Sequence, residues 1–160
     1  MSNIANYTPE EVNLLREVVP LAGFAVAVAG NSGIIGTFKE ASAAVHGLIE
    51  GAAQYPQNEL IQSLVKNLRE NRLPMPSYSP MEAGVQGRIK KDALEKCRQA
   101  IALLSQKATP QEASEFKQWI VAVSEKVANA AKEGGFLGFG GQRVSEAETA
   151  MLKELSTVLA

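Results

Sequence analysis

A chain of 160 residues, 46% apolar and 21% charged, has the composition of one folded domain rather than a disordered segment. Its formal net charge of -1, with acids and bases interleaved, offers no basic face or stripe for nucleic acid. A single cysteine, Cys97, excludes an internal disulfide and nearly excludes a cysteine-based zinc site, and a single histidine, His46, removes most metalloenzyme and triad chemistry.

Helix starts punctuate the chain. Thr8-Pro9-Glu10-Glu11 is a capping box, in which a hydroxyl accepts from the N3 amide and the N3 glutamate reaches back to the N-cap amide. Proline at N1 costs nothing, because that amide has no helical partner. The helix it opens runs into Val18 to Phe38, a stretch without a charged residue. That length approaches a membrane span, but Pro20 and Gly23, Gly30, Gly33 and Gly36 interrupt it, and Asn31 and Ser32 sit inside it. A central helix near residues 20–29, buried on all sides, is the expected reading. The alternative is a buried strand Phe24–Ala29 followed by a glycine loop that cradles phosphate, which lacks the second strand a parallel sheet requires.

Phe38, Ala41, Val45, Leu48, Ile49 and Ala52 then repeat at helical spacing, with His46 on the same helix four residues before Glu50. That pair admits a salt bridge or acid–base chemistry, although a structural or surface histidine is the simpler account. Asn58 caps a helix carrying Leu60, Ile61, Leu64, Val65 and Leu68. Leu73-Pro74-Met75-Pro76-Ser77-Tyr78-Ser79 is a linker. Ser79-Pro80-Met81-Glu82 reads as a second capping box, weakened by Gly84 and Gly87, which moves the expected start of its helix toward Arg88. Arg88-Ile89-Lys90-Lys91 is expected on a solvated face, and Cys97 on an apolar stripe with Leu94, Ile101 and Leu104.

Thr109-Pro110-Gln111-Glu112 opens a stripe of Phe116, Trp119, Ile120, Val123, Val127 and Ala130. Ser145-Glu146-Ala147-Glu148 opens a last helix with Met151, Leu152, Leu155, Val158 and Leu159. Between them lies Glu133-Gly-Gly-Phe-Leu-Gly-Phe-Gly-Gly-Gln-Arg-Val-Ser145. Gly134 or Gly135 would end the preceding helix, but helix ends alone do not require five glycines around Phe136, Leu137 and Phe139. Such a loop either closes the core or presents free amides with Arg143 to an anion. Thr8–Ala52 and Thr109–Leu159 also echo each other, each a capped helix, a glycine turn and a further helix, which predicts two neighbouring glycine turns.

The expected fold is therefore an all-α bundle of about six to seven helices in one domain, residues 1–160. Four segments, Thr8–Glu11, Leu21–Ala27, Gly135–Gly141 and Val144–Glu148, resemble the TPEE-like helix, LAGFAVA-like segment, GFLGFGG-type loop and VSEAE helix of an uncharacterised bacterial all-helical family. The resemblance implies a soluble helical protein and supplies no catalytic residues. A weaker likeness links the chain to small bacterial helical proteins of the tellurite-resistance type, whose acidic, metal-suited loops are missing here.

No catalytic set, cofactor motif or metal cluster emerges, and the absence of an export signal makes a cytoplasmic location the expectation. The leading expectation is a non-enzymatic interaction or stress-associated protein, with a homo-oligomer or another protein as partner, no nucleic acid, and a membrane disfavoured. The alternative is a binding protein for a small apolar or anionic ligand at the glycine turns. Its candidate residues are Gly30, Asn31, Ser32 and Gly33 on the first turn, and Gly140, Gly141, Gln142, Arg143 and Ser145 on the second.

Overall fold

The computed structural model describes residues 3–30, 46–71, 78–79, 81–133 and 144–160, with the backbone alone at 130–133. Within these the chain is all-helical, without a strand. A short 3-10 turn, Ile4–Asn6, precedes α1 (Pro9–Ala29). Helical residues 46–52 form the described part of α2, followed by α3 (Glu59–Glu70), α4 (Val85–Lys107), α5 (Pro110–Glu133) and α6 (Glu146–Leu159).

Three capping boxes form as the sequence predicts. Glu11 N–H donates to Thr8 Oγ1 at 3.3 Å while Thr8 N–H donates to Glu11 Oε2 at 2.7 Å. Thr109 and Glu112 make the same reciprocal pair at 3.2 and 3.0 Å, and Ser145 and Glu148 do so at 3.2 and 2.8 Å. Asn58 caps α3, its Oδ1 accepting from Ile61 N–H at 3.1 Å. The fourth box is a correction: Ser79 and Glu82 bracket a turn, Glu82 N–H donating to Ser79 O at 3.1 Å, and α4 starts only at Val85. Its N-cap is Gly84, held at φ 74, a left-handed conformation that glycine reaches without a Cβ penalty. Glu82 pairs instead with Arg88 at 2.9 Å.

α1 is the axis of the bundle. Its residues Val18 to Val28 are buried except for the partly covered Phe24, and it packs against α3, α4, α5 and α6. Phe24–Ala29 is helical, so the strand reading fails and the helix stops at Ala29. Among the described residues α1 is the one helix long and apolar enough to cross a membrane by length and composition. Its apolar sides are covered by the surrounding helices, which is how a central helix satisfies a nearly all-round apolar sequence. Pro20 stays within the helix, lacking one i→i−4 bond.

The main core is a cluster of apolar side chains from every α-helix, with Ala27 and Val127 as a separate buried pair between α1 and α5. Trp119, with 0% exposure, is its largest member; it meets Phe116 edge-on at 5.5 Å and donates Nε1–H to Leu48 O at 3.0 Å, fastening α2 to α5. Ion pairs between distant helices lie around the outside: Glu17–Lys96 at 2.5 Å, Glu11–Lys107 at 2.6 Å and Lys90–Glu154 at 2.7 Å. Exposed pairs of this kind contribute about 0–1 kcal/mol each, so the core rather than these pairs holds the helices together.

Candidate functional site

Two places merit attention: the meeting of the end of α1 with the start of α6, and a groove along α5.

Of the sequence candidates, Gly30 and Ser145 fall among the described residues; Asn31, Ser32, Gly33, Gly140, Gly141, Gln142 and Arg143 lie outside them. The two that can be placed share one neighbour. Glu148, only 5% exposed, accepts from Ser145 N–H and Oγ–H through Oε2, each at 2.8 Å. Its other oxygen stands 2.8 Å from where a Cβ on Gly30 would be. Gly30 has extended backbone, φ -72 and ψ 164, which any residue adopts. A side chain there would displace the Glu148 carboxylate from its place beside the end of α1. The glycine turns themselves, Gly33–Gly36 and Gly135–Gly138, lie outside the described residues, and their expected proximity with them; what the described residues bring together is the end of α1 and the start of α6.

The described part of this junction is electrostatically negative, and Arg143 and the glycine amides of the expected anion site lie outside the described residues. Glu148 already occupies the N-terminal amides of α6, and a second negative group would meet its carboxylate at close range. The end of α1, with no basic residue in its last turn, adds the negative pole of a helix dipole to the same place.

No catalytic arrangement assembles from the remaining candidates among the described residues. His46 is exposed, and Glu50 pairs with Lys126 at 3.2 Å rather than with it. Cys97 has 0% exposure, and burial pushes its thiol up to about 12, against a smaller opposing effect of Arg98. A thiol in that state is a packing group, because the thiolate is the nucleophile. The hydroxyl of Tyr78 donates to Asp92 at 2.9 Å while the Arg88 guanidinium covers its ring; burial, then Asp92, raises its pKa. Arg88 and Lys90, two of the three basic residues in that run, are committed to Glu82 and Glu154. No group of three or more metal-suited side chains occurs among the described residues.

The concave surface lies elsewhere. Two contiguous hollows of about 510 and 290 Å³ run from the end of α4 along α5 and the end of α6. Leu104, Ala113, Val121, Ala122 and Leu159 supply apolar lining. Lys117 and Glu125 lie on the same side of α5, two helical turns apart, with Val121 midway. Lys117 Nζ donates to Ala160 O at 3.2 Å, while Glu125 is exposed and makes no ion pair among the described residues. The predicted apolar stripe of α5 did not include this face. The available signal was Val121 and Ala122, apolar residues standing off the stripe of Phe116, Trp119, Ile120 and Val123.

These features define an all-helical bundle with a surface groove and no assembled reactive centre among the described residues. No protein-family model, curated protein or solved structure matches the chain.

Proposed function

We propose that this chain is a small non-enzymatic interaction protein and that the groove along α5 and α6 receives a helix from a protein partner. The groove itself carries the reading: it is the concave, partly apolar surface left after α5 has turned Phe116, Trp119, Ile120 and Val123 inward. Helix-in-groove recognition needs a furrow bounded by two helices, apolar residues at its base and charges at its rim. Leu104, Val121 and Leu159 give the base, and Lys117 and Glu125 give the rim. The disposition of reactive side chains supports the same reading, since the buried thiol and the buried carboxylates of Glu112 and Glu148 serve packing and helix capping.

A photo-crosslinking residue at Gln118, in the groove, tests this inside cells, with Gln99 on the exposed face of α4 as the control position. The expected result is a protein adduct from position 118 that is missing at position 99 and is lost when Val121→Glu is added. Equal adducts from both positions, or none from either, would refute the proposal.

A further inference from the structure

We infer that the occupant of the groove is a second copy of this chain, docked antiparallel so that α5 faces α5 about a two-fold axis near Val121. This rests on the groove being a docking surface and adds the identity and orientation of the partner.

The reason is the order of charges along one helix. Lys117, Val121 and Glu125 follow each other at intervals of four residues, so they form a single row on the groove side of α5. At 1.5 Å per residue the two charges are about 12 Å apart along the helix, with the apolar residue at the centre. A two-fold axis through that centre brings Lys117 of each subunit beside the partner's Glu125, and Val121 beside the partner's Val121. A row with a cation at one end, an anion at the other and an apolar midpoint is complementary to its own reverse, as an isologous interface requires. The parallel arrangement would set lysine against lysine and glutamate against glutamate.

The neighbouring residues agree with this geometry. Ala122 beside Val121, and Ala113 and Ser114 further along, are small enough for a second helix to approach closely. Glu125 is exposed and has no ion pair among the described residues, a state it shares with Glu10, Glu59, Glu70 and Glu146, so its carboxylate is open to a partner's lysine. Lys117 is held by one carbonyl at 3.2 Å, and a lysine has further donors for the partner's carboxylate. Because the apolar base is modest, the interface is of the weak, concentration-dependent class.

Sedimentation or light scattering of the full chain across a concentration series tests the inference. The wild type is expected to show a monomer–dimer equilibrium. Lys117→Glu and Glu125→Lys should each raise the dissociation constant by about tenfold or more, since both symmetric pairs become like-charged. An equimolar mixture of the two variants should associate about as well as the wild type, because each pair in the heterodimer is again opposite in sign. Both positions lie outside the core, and circular dichroism of each variant checks that its helices remain.

A wild type that stays monomeric throughout, variants that associate unchanged, or a mixture that fails to restore association would each overturn the inference. The two readings separate cleanly. A monomeric wild type whose position-118 adduct contains a different protein removes the second copy and leaves the docking groove. Loss of that adduct removes the groove reading itself.

Discussion

Replacing Gly51 by alanine tests how tightly α2 is seated on α5. A Cβ at this position would stand 3.2 Å from Trp119 Cδ1, 3.3 Å from Nε1 and 3.6 Å from Val123 Cγ2. The indole cannot yield freely. It is fully buried, it packs edge-on against Phe116, and its Nε1–H is fixed on Leu48 O at 3.0 Å. Alanine in a helix is favoured over glycine by roughly 0.5–1 kcal/mol. Against this stand overpacking, about 1–3 kcal/mol, and a weakened hydrogen bond worth about 1 kcal/mol. The net expectation is a destabilisation of about 1–3 kcal/mol. Urea unfolding followed at 222 nm measures it, and the emission of Trp119, the one tryptophan, reports the displaced ring directly. In a Trp119→Phe background the smaller ring leaves room for the methyl, so Gly51→Ala should cost about 1 kcal/mol less there than in the wild type. Equal costs in the two backgrounds, or a Gly51→Ala protein as stable as the wild type with unchanged emission, would refute the packing argument.

Cys97 should resist iodoacetamide in the folded protein even at a pH where a free thiol is ionised, since its own value is pushed up to about 12; rapid labelling with native helicity intact would contradict its burial. Because the unfolded thiol ionises from about 8.5 and the folded one only near 12, its contribution to stability is lost as pH rises through that window. Glu11 has the opposite sign: its hydrogen bond from Lys107, then that from the Thr8 amide, lowers its pKa, so its stabilisation is present above the ordinary carboxylate value and disappears as pH falls through the folded one. Urea midpoints of wild type and Lys107→Ala should therefore differ near neutrality and converge in acid, whereas a constant difference across pH would exclude the Glu11–Lys107 linkage.

Local rules made much of the helix plan readable. Thr8, Thr109 and Ser145 stop the preceding chain and start a helix through hydrogen bonds that span three residues, so the signal and the structure are equally local. Ser79–Glu82 carries the same signal and fails, because Gly84 and Gly87 tax the first turns and Arg88 offers Glu82 a competing partner. The apolar run before Gly30 was legible as a buried central helix because apolar residues on every side leave few alternatives. The groove was not legible. Whether Val121 faces the core or the solvent depends on how far α1, α4 and α6 wrap around α5, and no periodicity within α5 encodes that. Likewise Gly30 announces a helix end in the sequence, but its closeness to Glu148 exists only once α6 has arrived.

The central position of α1 also constrains how the protein is made. Its apolar flanks are covered by α4, α5 and α6, and roughly a hundred residues of chain separate Ala29 from Glu146. At the pace of synthesis, α1 leaves the ribosome on the order of ten seconds before its last partner is available. During that interval its exposed surface is that of a membrane segment or an aggregation nucleus, with Pro20 and the charged half before Val18 as its main internal brakes. The same surface becomes inaccessible once α4, α5 and α6 have docked on it.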